Sequence, residues 1–293
     1  MIKDIVFYFY GYVVFFYSMG LIVSYVILMW LAELGIFRKK RGNLSLYTKE
    51  IIDKSPYTPG VSIIAPAYNE ERTIIENVNS LLGQDYPKFE VIIVNDGSKD
   101  KTLELLIDNF QLVEVPFAYV EYIRTKPYRR LFKSTNPEYH RLIVVDKENG
   151  GTKADAVNAG LNASSYPYFV NIDVDGILVR DAISQCIIPI LQDEEVIAVS
   201  GIMAVSNGCK VENGQIADPR PPHKPCALFQ TLEYMRSFLV GKMGWSSINA
   251  MPNVSGGYGL FDKKVVIAAG GYTGDSFAED MDMIIRMVGY CCD

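Results

Sequence analysis

From Ile5 to Ala32 the chain carries no Asp, Glu, Lys or Arg, and the run is dense in Phe, Tyr, Val, Ile and Leu. As a helix rising 1.5 Å per residue it would extend roughly 42 Å, more than the ~30 Å hydrocarbon core of a bilayer. It is too long and too uniformly apolar for a buried core helix, and it lacks the short h-region and small-residue cleavage site of a secretory signal. A transmembrane helix is therefore expected. Arg38, Lys39, Lys40 and Arg41 follow it directly, against Lys3 and the amino terminus on the other side. The positive-inside rule then places the rest of the chain in the cytoplasm, at the cell (inner or plasma) membrane. Five scattered cysteines without Cys-x-x-Cys spacing agree with a reducing compartment.

Residues 1–41 thus form the membrane helix with its basic flank. Residues 42–60, with Pro56 and Pro59, read as a polar linker, and residues 61–293 as the soluble domain. That domain opens with Val61–Ala65, a β-branched run too short for a helix, followed by the turn Pro66–Glu70 and a helix-periodic stretch, Glu71–Leu82. Phe89–Val94, Asn95–Ser98 and Thr102–Phe110 repeat the order. Strand, turn and helix in repetition predict right-handed βαβ units and a mostly parallel sheet flanked by helices. Further strands are expected at Ala118–Ile123, Leu142–Val145, Tyr168–Ile172, Val196–Val205 and the glycine-rich Val254–Phe261. Helices are expected at Thr152–Asn162, Asp181–Leu191, Ala227–Val240, Val265–Ala269 and from Ala278 onward. Arg124–Lys133 and Gly208–Lys224 read as loops, and Gly241–Pro252, with Trp245, as an amphipathic piece suited to a membrane surface. Glycines inside Val254–Phe261 imply close approach of backbone to another group.

A net charge of -6 without a basic stripe excludes a nucleic-acid partner. Three predicted strand ends instead bring polar residues to one sheet edge: Tyr68–Glu70, Asn95–Gly97 and Asp173-Val174-Asp175-Gly176. In open α/β folds that edge lines the ligand crevice. Neither G-x-G-x-x-G nor a Walker A sequence is present, so dinucleotide and ATP sites lack their fingerprints. Asp173 and Asp175 suit Mg2+ or Mn2+, which take few carboxylates and complete their shell with phosphate oxygens. The same four residues equally read as a turn. Glu279-Asp280 at a helix start supplies a candidate base or, equally, a helix cap. Asp96 fits an Asx-turn as well as a ligand contact, and Lys153 reads as a solvated helix residue or as a partner for phosphate.

Taken in order, PAYNE (66–70), NDGSKD (95–100), KENGGTKADAVNAG (147–160), DVDG (173–176), VSGGYG (254–259) and AED (278–280) resemble the family 2 glycosyltransferases. The likeness is to the membrane-embedded processive synthases of cellulose, hyaluronan and poly-N-acetylglucosamine. It implies a GT-A fold and inverting transfer from a UDP-sugar to a polysaccharide acceptor, with a Mg2+ or Mn2+ cofactor. By that resemblance Ala67, Tyr68, Glu70 and Asp96 hold the nucleoside, and Lys153 and Asp155 lie near the diphosphate. Asp173 contacts the nucleotide sugar, Asp175 binds the cation, and Ser255 and Gly256 frame the acceptor end. Asp280 deprotonates the acceptor, with Glu279 beside it. The lipid bilayer and other subunits of a synthase complex are the further partners it implies.

The chain departs from the pattern at Val174 and Gly176, where many relatives carry a small residue and Ser or Thr. No Gln-x-x-Arg-Trp motif or channel helix follows, which reads as a catalytic domain that is incomplete at its C-terminus. Two alternatives stay open: a sugar-nucleotide nucleotidyltransferase, and a partner that binds nucleotide sugar without turnover. The KENGG and EYMRSFLVGKMGW stretches tilt the donor toward UDP-GlcNAc by resemblance alone.

Overall fold

The computed structural model describes residues 2–41, 45–116, 120–212, 214–276 and 278–292. Its elements run α1 (Ile2–Arg41), α2 (Ser45–Lys54), β1 (Val61–Ala67), α3 (Ile74–Leu82), β2 (Phe89–Asp96), α4 (Thr102–Phe110), β3 (Leu112–Glu114), β4 (Tyr128–Ser134) and β5 (Leu142–Lys147). They continue with α5 (Lys153–Ala163), β6 (Tyr168–Ile172), α6 (Ala182–Gln192), β7 (Ala198–Ser200), β8 (Lys210–Glu212), β9 (Gln215–Asp218), α7 (Pro225–Met235), α8 (Met243–Ser246), β10 (Tyr258–Asp262), α9 (Lys263–Ala268) and α10 (Glu279–Cys292). Two compact units emerge, one of residues 1–44 with 223–251, the other of residues 45–222 with 252–293.

In the first unit α1 meets the length and composition of a membrane span over Lys3–Phe37. Every residue from Lys3 to Ile27 is exposed, whereas Leu28 and Leu31 are half-buried and Ala32 is buried. The covering chain is 236–247, where a π-helical stretch, Arg236–Lys242, links α7 to α8 and packs on α1. Arg236 donates to the Tyr25 hydroxyl at 2.6 Å. No residue of α7 is buried, and Leu228, Phe229, Leu232, Met235 and Leu239 form an exposed apolar stripe at helical spacing.

The second unit is built on an eight-stranded sheet in the order β3-β4-β5-β2-β1-β6-β10-β7. Its central four strands, β5, β2, β1 and β6, are parallel, as the strand-turn-helix repeats require. The margins are antiparallel, since β4 runs against β5 and β10 against β6. All eight residues of β2 and all six of β5 are buried. Helices explain this: Ile63 and Ile93 join the core with α3, α4 and α6, while α5 packs on β1 and β2. Strands covered on both faces read as continuous apolar runs rather than alternating ones.

Several expectations are corrected. Ser45–Lys54 is a helix, not linker, because Ile52 is buried in the core of the second unit. The strand expected over Ala118–Ile123 falls partly on residues outside the described set, and the described part is not strand. The margin on that side is β3 at the edge and β4 inside it, the latter within the basic segment read as a loop; its Leu131 and Phe132 are buried, and its Arg130 pairs with the buried Asp146. Val196–Val205 keeps only β7, and Gly208–Lys224 contains the β8–β9 hairpin. The strand expected from Val254 begins at Tyr258, after a turn at Gly256-Gly257.

Candidate active site

The strand order reverses direction between β1 and β6, the place where open α/β sheets form a crevice at strand carboxyl ends. A crevice of about 480 Å³ opens there, lined by Ala67, Tyr68 and Glu70 from the end of β1, Asp96 from β2, Lys153 from α5 and Asp173 beyond β6, among others. Tight turns hold these residues. Gly97, after β2, has φ +67, and a Cβ there would stand 2.8 Å from the Asn149 backbone nitrogen, so the two loops touch only because it is glycine. Thr152 caps α5, accepting a hydrogen bond from the Asp155 N–H, which places the amino end of that helix at the crevice.

Two lysines organise the charges. Lys147, at the end of β5, is fully buried and pairs with Asp96 Oδ1 at 2.7 Å and Asp155 Oδ2 at 2.5 Å, while donating to the Glu148 carbonyl. Asp96 also accepts from the Gly150 N–H at 3.0 Å, and Asp155 from the Lys126 N–H at 3.0 Å. Lys153 is part-exposed and pairs with Asp173 while donating to the Gly256 carbonyl at 2.7 Å. Asn171, on β6, donates to the same carbonyl at 3.4 Å.

The turn at Gly256-Gly257 joins the two ends of the site. A Cβ on Gly256 would lie 2.2 Å from Asp280 Oδ2, and one on Gly257 3.1 Å from Asp173 Oδ2. Both carboxylates therefore abut one glycine pair, the close approach that the glycine-rich stretch implies. Glu279 and Asp280 open α10. Burial raises the Glu279 carboxyl above its ordinary value; Lys153 counteracts this, and the Asp280 and Asp173 charges add to it.

The other predicted residues sit elsewhere. Asp155 does not line the crevice but anchors Lys147 beneath it. Asp175 is exposed and off the lining, and Ser255 donates to the Met203 sulfur at 3.1 Å. Among the described residues no three His, Cys, Asp or Glu side chains converge as a metal centre. Sequence reasoning passed over Lys147, Asn149 and Asn171. The signal for two of them was polarity at the wrong place: a lysine ending the buried run LIVVDK, and an asparagine inside YFVNI.

Residues 62–243, more than half of the chain, match the family described as glycosyl transferase family 2. The chain belongs to that family. It is 27% identical over 239 residues to a poly-beta-1,6-N-acetyl-D-glucosamine synthase of Staphylococcus epidermidis, covering 80% of this chain and 48% of that protein. To the protein of the same description in Staphylococcus aureus (strain COL) it is 29% identical, covering 76% and 44%. This glycosyltransferase chain thus spans about half the length of the relatives it matches. Among solved structures, the mannosyltransferase PcManGT from Pyrobaculum calidifontis, in complex with GDP-Man and Mn2+, has a TM-score of 0.54 at 22% identity, covering 90% of this chain and 63% of its own. That likeness concerns the fold, which is of the GT-A type.

Proposed function

We propose that this family 2 chain is an inverting glycosyltransferase that moves a sugar, N-acetylglucosamine first among the candidates, from a UDP-sugar to a hydroxyl of a growing β-linked polysaccharide. The observation that carries the reading is the shared glycine pair: the carboxylate assigned to the nucleotide sugar, Asp173, and the assigned base, Asp280, both press on Gly256-Gly257. Ala67, Tyr68, Glu70 and Asp96 receive the nucleoside. The amino end of α5 with Lys153 attracts the diphosphate through backbone N–H groups and a part-exposed ammonium. Asp280 takes the proton from the acceptor hydroxyl as its oxygen forms the new bond to the anomeric carbon. The bond to the diphosphate breaks with its electron pair on the departing UDP, and attack from the opposite face inverts the centre.

Asp173 and Asp175 offer two hard oxygen donors, and an ammonium, that of Lys153, already sits on Asp173. That donor set fits a Mg2+ or Mn2+ ion shared with diphosphate oxygens rather than one caged by protein alone. When bound, such an ion neutralises charge on the leaving diphosphate. The bare surface of α1 and the exposed stripe of α7 support anchoring in the cell membrane, and the basic residues 38–41 support a cytoplasmic site. The names of the staphylococcal relatives support the choice of N-acetylglucosamine.

Release of UDP from UDP-sugars, with and without Mg2+ or Mn2+, tests the proposal. Asp280→Asn should lower kcat by about 10²–10⁴-fold, the usual contribution of a general base. Full-rate turnover by that variant would remove Asp280 from its role, and nucleotide binding without turnover by the unaltered chain would favour a binding partner over an enzyme.

A further inference from the structure

Asn69 keeps a backbone conformation that most side chains avoid, and it keeps it at the surface. Its φ is +57, in the left-handed region, yet the residue is exposed, so core packing does not impose the bend. Two other described residues besides glycine have a positive φ. Gln111 caps the end of α4, and Asn249 follows α8 in the other unit. Asn69 instead stands between Tyr68 and Glu70, both of which line the crevice. A non-glycine residue held in a sparsely populated region points to a use for the shape it gives.

What the bend achieves is a set of bonds between two loops. The turn after β1 donates three successive backbone N–H groups to side chains of the turn after β2: Asn69 to Ser98 Oγ at 3.0 Å, Glu70 to Thr102 Oγ1 at 2.8 Å and Glu71 to Asp100 Oδ2 at 3.1 Å. A left-handed residue among neighbours of ordinary φ turns successive N–H groups to one side, so the bend lets all three reach the same loop. The Asn69 side chain closes the ring, its Oδ1 accepting from the Lys99 N–H at 2.8 Å. Asparagine suits the place twice, since it tolerates positive φ better than most side chains and carries an acceptor. Tyr68, directly before this anchor, leaves 46% of its surface open.

We propose that Asn69 is a positioning residue for the nucleoside: by tying the backbone beside Tyr68 to the turn after β2, it presents the Tyr68 ring to the crevice before the donor arrives. A contact group already in place removes the need to order a loop on binding, so the anchor acts on donor affinity rather than on the chemical step. The inference rests on the reading of Tyr68 as a nucleoside contact.

The test measures UDP binding by calorimetry and UDP-sugar turnover, with the full chain in lipid nanodiscs, for Asn69→Asp, Asn69→Gly, Asn69→Ala and Tyr68→Ala. Aspartate keeps both the acceptor and the tolerance of positive φ, glycine keeps the tolerance alone, and alanine keeps neither. The Kd for UDP and the KM for the UDP-sugar should therefore rise by less than about twofold, by about threefold and by about tenfold in that order, with kcat within about threefold throughout. In the Tyr68→Ala background, Asn69→Ala should weaken UDP binding by less than about twofold further, because the anchor acts through Tyr68. An unchanged Kd in Asn69→Ala, the same loss in both backgrounds, or a fall in kcat at constant KM overturns the proposal while the nucleoside reading stands. Full UDP affinity in Tyr68→Ala overturns both. A lower thermal midpoint at unchanged Kd makes Asn69 a support of the fold alone, and overturns the proposal as well.

Discussion

Lys147 and Lys153 lie six positions apart, each pairs with acids, and the two do opposite work. Lys147 ends a buried strand with three oxygen partners and no exposed surface, so it has no room to choose another. Lys153 opens a helix at the crevice, retains about a quarter of its surface, and pairs with an Asp173 that is itself nearly half exposed. The first cluster ties β2, β5 and α5 together; under the proposed function the second exchanges a carboxylate for a phosphate. Burial rather than residue type separates a scaffold ion pair from a ligand-handling one. Breaking a buried pair strands a charge without water, whereas the partners of an exposed pair recover solvation.

The sharpest way to break this contrast is to remove each ammonium in turn. Lys147→Met leaves the buried Asp96 and the partly buried Asp155 without their cation, and the expected loss is about 3–5 kcal/mol, visible as a large fall in the thermal or denaturant midpoint. Lys153→Met should barely move the midpoint yet reduce kcat/KM for UDP-sugar turnover by about 100-fold, as when one donor to a developing charge is lost. Equal midpoints for the two variants would end the distinction. Next in size is Gly256→Ala, which drives a Cβ into the Asp280 carboxylate. Turnover should fall by up to about 100-fold while nucleotide affinity is retained, because the displaced group belongs to the acceptor side. Loss of UDP binding would show instead that the glycine pair serves the donor end.

The same contrast explains what could be read from the sequence. The parallel centre of the sheet was legible because VSIIA, FEVIIV, LIVV and YFVNI are short, mostly apolar runs separated by polar turns and helical periods. The margins were not: β3 and β7 are three residues each and β4 sets one adjacent apolar pair, Leu131-Phe132, among basic residues, so pairing with neighbours rather than local pattern makes them strands. At the crevice, Asp96, Lys153 and Asp173 stand at a strand end, a helix start and just past a strand, places that the sequence pattern marks. Asp155, in the same motif, turned inward to Lys147, because its helix position faces the sheet rather than the crevice. Whether a carboxylate looks in or out depends on rotation about a helix axis that short motifs do not record.

The smallest effect sharpens the outer half of the comparison. Glu279 is half-buried, and its carboxyl is raised by burial first, with Lys153 opposing and Asp280 and Asp173 adding. A folded state that holds a proton more tightly than the unfolded one loses stability as pH rises through the window between the ordinary carboxyl value, near 4.3, and the raised one. Below that window no penalty exists; above it the penalty is constant. Glu279→Gln should therefore raise the thermal midpoint slightly at neutral pH, by the equivalent of a few tenths of a kcal/mol at this exposure, and the gain should vanish on acidification below the ordinary carboxyl range. In the Lys153→Met background the gain should grow, because the Lys153 charge that offsets that of Glu279 is gone. A stability loss at neutral pH would mean that Lys153 gives more of its charge to Glu279 than to Asp173, and the outer lysine would then be committed to the acceptor side before any diphosphate arrives.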